Sequence, residues 1–130
     1  MEPTKILVVD DEEEICQLTK NFLTRKKYQV FTANNSQEAL VFVKREHPQL
    51  VLLDIMLGDE SGMDVLRQIK STDKNIKVIM VTALDDEGVI RMAKSLGADD
   101  YVAKPFTADY LNDVILHKIS LLSVKDSIKK

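Results

Sequence analysis

Apolar runs alternate along the chain with segments whose apolar residues recur at helical spacing. The runs predict five strands, at residues 5–10, 28–33, 50–54, 77–82 and 100–104. Strands that alternate with helices build a parallel sheet with crossover helices, so the pattern predicts an α/β fold. The third and fourth runs are continuously apolar, which is typical of central strands covered by helices on both faces.

The segments between and after the strands predict five helices. The apolar face of the first consists of Ile15, Leu18, Phe22 and Leu23, and that of the last of Leu111, Val114, Ile115, Ile119 and Leu122. Ser36 opens the second helix, and residues 62–71 and 86–96 form the third and fourth. Gly97 is expected to cap the end of the fourth helix, and Thr107 the start of the last.

Length and composition favour a single domain with one sizeable core. The chain has 130 residues, of which 45% are hydrophobic. The helical pattern is lost near Ser123, so we expect one domain over residues 1–122 and a C-terminal tail or linker stub over 123–130. The lone cysteine, Cys16, excludes an intrachain disulfide, and its place in a helical pattern predicts a packed side chain.

Charge and hydropathy narrow the classes of partner. The net charge is −3, and the 18 basic and 21 acidic residues are interspersed, which argues against direct nucleic-acid binding by this segment. The longest apolar runs, such as residues 6–9 and 50–53, are too short to cross a bilayer. The first residues also lack the basic segment followed by an apolar stretch that is typical of a signal peptide. We therefore expect a cytoplasmic protein with no membrane contact.

Polar side chains stand where four of the predicted strands end. Asp10 and Asp11 follow the first strand, Asp54 ends the third, Thr82 the fourth, and Lys104 the fifth. Ligands of open parallel sheets bind beyond these carboxyl ends. Three carboxylates brought together repel one another unless a cation lies among them, and oxygen ligands with room for water suit Mg²⁺.

These residues fit phosphoryl transfer, which depends on positioning and on neutralising charge on the phosphoryl oxygens. The metal, the Thr82 hydroxyl and the Lys104 ammonium can each take one oxygen, while a carboxylate acts as nucleophile. Each residue alone also has a structural explanation: Asp10 and Asp11 as the acidic start of a helix, Thr82 and Lys104 as ordinary strand-end groups. Their joint occurrence at four strand ends favours a functional site.

Four motifs carry a resemblance to a known family. ILVVDDE, LVLLDIML, VIMVTA and DDYVAKPF, in this order and at these spacings, resemble the receiver domain of two-component response regulators, the family of the chemotaxis protein CheY. The resemblance covers about residues 4–122. It implies a doubly wound, five-stranded parallel sheet in the order 2-1-3-4-5, flanked by five helices, which is the strand order known for CheY.

The resemblance also implies a role for each site residue. Asp54 would be the phosphoacceptor, charged in a Mg²⁺-dependent reaction from a phosphohistidine of a sensor histidine kinase or phosphotransfer protein. The metal ligands would be Asp11, Asp54, the backbone carbonyl of Met56 and, through water, Asp10. The phosphoryl group would meet Lys104, Thr82 and the backbone of Ala83. Thr82 and Tyr101 would be the paired switch residues, and the Lys104–Pro105 bond would be cis.

As a whole, such a chain would be a signalling switch rather than an enzyme, with intrinsic autophosphorylation and autodephosphorylation chemistry. The face of the fourth helix, fifth strand and fifth helix would report the phosphorylated state to an effector or a transcriptional output domain, and would be available for a homodimer. Asp99 and Asp100 could serve that dimer, although the last helix offers only His117 and Lys118 in return. Leu116 and Leu121 lie off the apolar stripe of that helix, where they are either partner contacts or partly covered.

Some positions depart from the family pattern. Gly58 stands where proline is common, and Ser61 where an aspartate is common, so we expect a more flexible loop after Asp54. Met56 and Leu84 flank the site with apolar side chains that cannot hold an attacking water. Their chemistry predicts slower loss of phosphate than in relatives with polar residues at these positions.

Two alternative functions remain open at this point. A haloacid-dehalogenase-like phosphatase would use Asp10 as nucleophile, but it requires an Asp-x-Asp pattern, whereas Asp10 is followed by Asp11 and Glu12. It would also leave Asp54 without a role. A receiver-like interaction module that never takes phosphate is the other alternative.

Overall fold

A five-stranded parallel sheet forms the centre of the protein. The computed structural model describes residues 3–83 and 87–128, with backbone alone for residues 123–128. The strands are β1 (Lys5–Val9), β2 (Gln29–Ala33), β3 (Leu50–Asp54), β4 (Lys77–Thr82) and β5 (Asp100–Ala103). They pair in the order β2-β1-β3-β4-β5, and every pairing is parallel. The predicted fold and strand order are confirmed.

Helices follow every strand. They are α1 (Glu13–Arg25), α2 (Ser36–Glu46), α3 (Gly62–Thr72), α4 (Glu87–Ser95) and α5, which joins the segments Ala108–Tyr110, Leu111–Ile115 and Leu116–Ile128. The middle segment of α5 is a π-helical turn. A two-residue antiparallel ladder, Met56–Leu57 with Glu60–Ser61, forms between β3 and α3. Among the described residues, no helix is long and apolar enough to span a membrane.

Two core layers lie on opposite faces of the sheet. Successive residues of a strand point to opposite faces, so Val51 and Leu53 of β3 pack under α2, α3 and α4, whereas Leu50 and Leu52 pack under α1 and α5. All five residues of β3 are buried. We call these the α2–α4 layer and the α1–α5 layer. Burial on both faces explains why the central strands are continuously apolar.

The predicted face of α1 is partly wrong. The buried positions are Cys16, Thr19 and Leu23, at the i, i+3, i+7 spacing of one helix face. Leu18 is 44% exposed, because two residues along a helix turn it about 200° away from Cys16. Burial, and next the charge of Asp10, raise the pKa of Cys16 to about 12, so its thiol stays protonated and packed.

Both ends of α5 can be compared with the prediction. The Thr107 hydroxyl accepts a hydrogen bond from the Tyr110 N–H at 3.0 Å, which makes Thr107 the predicted N-cap. The predicted apolar stripe is buried or half-buried throughout. Leu116 is half-buried, while Leu121 is 50% exposed. The backbone stays helical to Ile128, so helix continues past the predicted domain end at residue 122.

The other helix ends agree with the prediction within one or two residues. Gly97 follows α4 with φ +106°, a left-handed conformation that favours glycine and ends the helix. Asn35, one residue before the predicted start of α2, is its N-cap and accepts a hydrogen bond from the Glu38 N–H at 2.9 Å. Residue 86, the predicted start of α4, lies outside the described residues.

Candidate functional site

The carboxyl ends of the strands bring the predicted polar residues to one edge of the sheet. A cavity of about 360 Å³ opens there. Six of the predicted residues line it: Asp11, Asp54, Met56, Thr82, Ala83 and Lys104. Asp10 is only 2% exposed and is not among the residues that line the cavity. Tyr101 does not line the cavity.

The Lys104 ammonium joins three carboxylates. Its Nζ lies 2.7 Å from Asp54 Oδ2, 2.9 Å from Asp10 Oδ2 and 3.4 Å from Glu12 Oε1. Partial burial by itself would lower the pKa of Lys104. Hydrogen bonds to Asp54 and Asp10, together with the charges of these residues, outweigh this effect and raise the pKa above its usual value. The side chain therefore stays charged. The Lys104–Pro105 peptide bond is cis.

Asp10 is held where a negative charge is unfavourable. Burial, and to a lesser degree the charge of Asp54, raise the pKa of Asp10 to about 6. A hydrogen bond from the Glu12 N–H to Oδ1 at 2.9 Å and the contact with Lys104 oppose this rise without cancelling it. A cation near this carboxylate would relieve the unfavourable charge.

The acidic residues after β1 fit a hard divalent cation. Asp10, Asp11 and Glu12 each offer a carboxylate oxygen, and these oxygens lie within 4.8 Å of one another. Oxygen ligands at the mouth of a water-accessible cavity suit Mg²⁺. Glu12 is a candidate ligand that the sequence reasoning missed. Its signal in the sequence is a third consecutive acid, which the start of a helix also explains, because acidic residues are favourable there.

The phosphoacceptor candidate Asp54 is held through both of its carboxylate oxygens. Oδ1 accepts a hydrogen bond from the Met56 N–H at 3.0 Å, and Oδ2 accepts one from Lys104. Met56, which lines the cavity together with Asp54, is 67% exposed. Leu84, the other predicted flanking residue, lies outside the described residues.

The loop after Asp54 is anchored by hydrogen bonds, although the sequence predicted a looser segment. The Gly58 N–H donates to Asp11 Oδ2 at 3.1 Å, and Gly58 has φ +63°. Proline could neither adopt this φ nor donate this hydrogen bond. Glu60 accepts hydrogen bonds from the Ser36 hydroxyl at 2.6 Å and from its N–H at 3.1 Å, and both lower the pKa of Glu60. The Ser61 hydroxyl caps α3.

Gly62 packs directly against the backbone of Asp54. A Cβ at residue 62 would overlap the Asp54 carbonyl oxygen and lie 2.8 Å from Ile55 Cα. We expect Gly62→Ala to lower the free energy of unfolding by about 3 kcal/mol, the upper end of the usual cost of overpacking. Urea denaturation measures this change.

The matched control for Gly62→Ala is Gly58→Ala in the same loop. A Cβ at residue 58 has as its nearest neighbour Asp11 Oδ2, at 3.9 Å, so only the left-handed φ should cost stability, by about 1–2 kcal/mol. If Gly62→Ala is as stable as the wild type, the contact with Asp54 does not restrict residue 62.

The two predicted switch residues lie on neighbouring strands. Thr82 is buried at the end of β4 and pairs with Ala103, two residues after Tyr101 in β5. The half-buried Tyr101 ring packs against the α2–α4 layer. Lys94 Nζ lies 5.6 Å and Lys118 Nζ 5.2 Å from its centroid, distances at which cations are attracted to an aromatic ring.

Lys118 also fixes the backbone of β5. Its Nζ donates to Asp100 Oδ1 at 2.9 Å and to the Tyr101 carbonyl at 3.0 Å. The contacts of Lys94 and Lys118 with the ring were not foreseen from the sequence, because helix spacing alone does not tell which side chains meet across elements.

A doubly wound sheet with an acidic pocket, a lysine and a threonine at its carboxyl edge defines a class of signalling domain. The chain belongs to the response regulator receiver domain family, which it matches over residues 6–116. It is a receiver domain of two-component response regulators, that is, a signalling switch.

Two bacterial relatives differ in how much of their length the chain covers. Sporulation initiation phosphotransferase F of Bacillus subtilis is 39% identical over 119 residues, which are 92% of this chain and 96% of that protein. The alkaline phosphatase synthesis transcriptional regulatory protein PhoP of Bacillus subtilis is 42% identical over 108 residues, 83% of this chain but 45% of PhoP. The chain thus spans nearly all of the first relative and less than half of the second.

Solved structures share the fold over nearly the whole chain. The signal receiver domain of a putative LuxO repressor protein from Vibrio parahaemolyticus has a TM-score of 0.84 and 29% identity, and 98% of each chain is covered. NtrX from Brucella abortus has a TM-score of 0.85 and 30% identity, covering 98% of this chain and 29% of NtrX.

Proposed function

We propose that Asp54 accepts a phosphoryl group from a phosphohistidine of a sensor histidine kinase or phosphotransfer protein, in a Mg²⁺-dependent reaction in the cytoplasm. The observation that supports this most is the position of Lys104. Its ammonium lies 2.7 Å from Asp54 Oδ2, and both residues line the cavity. A lysine there can neutralise charge on an incoming phosphoryl group without any large rearrangement.

The transfer exchanges one bond to phosphorus for another. An Asp54 carboxylate oxygen forms a P–O bond while the P–N bond of phosphohistidine breaks, and the electron pair of that bond returns to the imidazole, which then takes up a proton. Lys104, the Thr82 hydroxyl and the Ala83 backbone N–H would donate to the phosphoryl oxygens. Met56, through its N–H, keeps the Asp54 carboxylate oriented.

The proposed metal ligands are Asp11, Asp54, the Met56 carbonyl and, through water, Asp10. We add Glu12, whose carboxylate belongs to the same acidic cluster. When bound, Mg²⁺ would supply positive charge to the phosphoryl oxygens. Lys104, which now contacts Asp10 and Asp54, would then be free to turn towards the phosphoryl group.

The same site would switch the output face. A phosphoryl group adds negative charge and hydrogen-bond acceptors, and the Thr82 hydroxyl would move to donate a hydrogen bond to one of them. Movement of Thr82 would leave room for Tyr101 to turn inward, away from Lys94 and Lys118. The face of α4, β5 and α5 would carry this change to an effector or output domain, or to a second copy of the chain.

The chain's own chemistry would include autophosphorylation from small phosphodonors and autodephosphorylation. Met56, which is exposed, and Leu84 both have apolar side chains, and neither can orient an attacking water, which supports a long-lived phosphoryl group. We assign these properties to a receiver unit of residues 1–122, followed by a tail or linker.

Mapping the modified carboxylate tests the proposal. After incubation with acetyl phosphate and Mg²⁺, we expect one acid-stable but hydroxylamine-labile phosphoryl group, located by borohydride reduction and mass spectrometry at Asp54. Removal of Mg²⁺ with a chelator should prevent the reaction.

Each alternative function makes a different prediction in that experiment. Phosphate at Asp10 would contradict the proposal and favour a haloacid-dehalogenase-like phosphatase, although Asp10 is 2% exposed and lies outside the cavity lining. Failure to bind Mg²⁺ or a beryllofluoride mimic of phosphate would favour an interaction module that never takes phosphate.

A further inference from the structure

The end of β5, just before Lys104, is held from both sides. On the inner side, the Lys104 N–H donates to the Thr82 carbonyl at 2.8 Å. On the outer side, the Ala103 N–H donates to the Tyr110 hydroxyl oxygen at 2.8 Å. Tyr110 belongs to α5 and is seven residues from Ala103 in sequence. A side chain thus takes the place of a neighbouring strand.

This contact matters because β5 is an edge strand. In the part of the chain that the structure describes, no strand lies beyond β5, so its outward N–H groups have no backbone partner in the sheet. Water would otherwise satisfy the Ala103 N–H, and the strand end would be freer to move.

Tyr110 is itself held in place before it reaches β5. Its N–H donates to the Thr107 hydroxyl at 3.0 Å, and its ring stacks on Phe106 with centroids 6.0 Å apart and planes at 25°. The ring also packs against the α1–α5 layer. The π-helical turn Leu111–Ile115 begins at the next residue. The hydroxyl is therefore presented to Ala103 by a rigid support.

We propose that Tyr110 is a positioning residue for Lys104 in phosphoryl transfer, an inference that rests on the proposed function. The Lys104 ammonium lies 2.7 Å from Asp54 and 2.9 Å from Asp10, and its backbone stands at the end of an edge strand. Lys104 follows Ala103 directly in the chain. The hydrogen bond from the Ala103 N–H to Tyr110 therefore restricts the position of the Lys104 Cα, from which the side chain extends. Small displacements of a reacting group have large effects on rate.

The test is Tyr110→Phe, which removes one oxygen and keeps the stacked ring. At saturating Mg²⁺, we expect the maximal rate of phosphorylation by acetyl phosphate to fall about 10-fold. Greater freedom of the Lys104 side chain should lower the rate less than a fixed displacement of its ammonium would. The Mg²⁺ dissociation constant should change less than about 2-fold, because no proposed metal ligand lies on β5. Amide exchange at Ala103 should accelerate.

A double-mutant cycle separates positioning from general destabilisation. In a Lys104→Met background, Tyr110→Phe should lower the rate no further, because there is no ammonium left to position. The control is Tyr28→Phe, the same change at another half-buried tyrosine of the α1–α5 layer, which should leave the rate within about 2-fold of wild type. Phe106→Leu, which removes the stacked ring and keeps the hydroxyl, should lower the rate less than Tyr110→Phe.

Two results would overturn the inference. One is that the wild type is phosphorylated at Asp54 and the Tyr110→Phe variant is phosphorylated at the same rate. The other is an equal loss of rate in the Lys104→Met background, which would make Tyr110 a purely structural residue. If the wild type takes no phosphate at all, the proposed function fails instead, and the two failures are distinguishable.

Discussion

Replacement of Lys104 by methionine should lower the maximal rate of phosphorylation by about 100-fold, the usual cost of removing one donor that stabilises a developing negative charge. Methionine is also unbranched and of similar length, while the charge that lies 2.7 Å from Asp54 and 2.9 Å from Asp10 is lost. Single-turnover phosphorylation by acetyl phosphate at saturating Mg²⁺ measures this effect. The chain without metal should also become less stable, because two nearly buried carboxylates lose their shared cation.

Lys70→Met is the matched control for this prediction. The Lys70 side chain is as exposed as that of Lys104, at 15%, and its Nζ lies 3.0 Å from Asp99 Oδ2. It also donates to the Ile76 carbonyl, far from the cavity. Lys70→Met should therefore cost stability but leave the phosphorylation rate unchanged. An equal loss of rate in both variants would mean that Lys104 acts only through stability.

Replacement of Asp10 by asparagine should change stability and metal binding in opposite directions. Burial raises the pKa of Asp10 from 3.8 to about 6, so the folded protein opposes ionisation of this carboxyl. At pH 7 the free energy of unfolding of the variant should exceed that of the wild type by up to about 3 kcal/mol, since a shift of one pKa unit is worth about 1.4 kcal/mol. Loss of the ionic contact with Lys104 makes this gain smaller. Its affinity for Mg²⁺ should fall about 10- to 100-fold, as is usual for residues that support a metal site.

The pH dependence of this gain has a definite sign. The pKa of Asp10 is raised in the folded state, so between pH 3.8 and about 6 the folded wild type keeps a proton that the unfolded chain has lost. The stability that this carboxyl contributes is therefore full below pH 3.8 and is lost as the pH rises to about 6. The stabilisation by Asp10→Asn should therefore be largest above pH 6 and vanish below pH 4. Urea denaturation with a chelator, from pH 4 to 8, measures it.

Asp64→Asn, on the exposed surface of α3, is the control for Asp10→Asn. The Asp64 side chain is 67% exposed and pairs with the exposed Arg67, so its replacement should change stability little at any pH. A gain for Asp10→Asn that does not depend on pH would contradict the origin we assign to it.

Much of the fold followed from local patterns. The third and fourth strands begin and end where the apolar runs do, because a strand buried on both faces admits no polar residue between its ends. The face of α5 was also predictable, since its apolar stripe is long and regular. The face of α1 was not, because Leu18 is apolar yet exposed, and only the packed sheet determines which side of the helix is covered.

The site was predictable in its composition but not in its contacts. Polar residues at strand ends identified Asp54, Thr82 and Lys104, since topology brings the carboxyl ends of parallel strands together. Glu12 and Tyr110 escaped notice, because each has an ordinary local explanation, in a helix start and in an apolar helix face. Their roles arise from Lys104 and Ala103, which lie on other elements.

The sequence by itself therefore determined the alternation of strands and helices, their order in the sheet through the family resemblance, and the acids, threonine and lysine at one edge. These are properties of local spacing and of residue type. Only the tertiary structure decided that Lys104 binds Asp54, 50 residues away in the chain, that Asp10 is buried, and that Tyr110 secures the last strand. Distances and desolvation depend on how distant segments pack, and no local pattern encodes them.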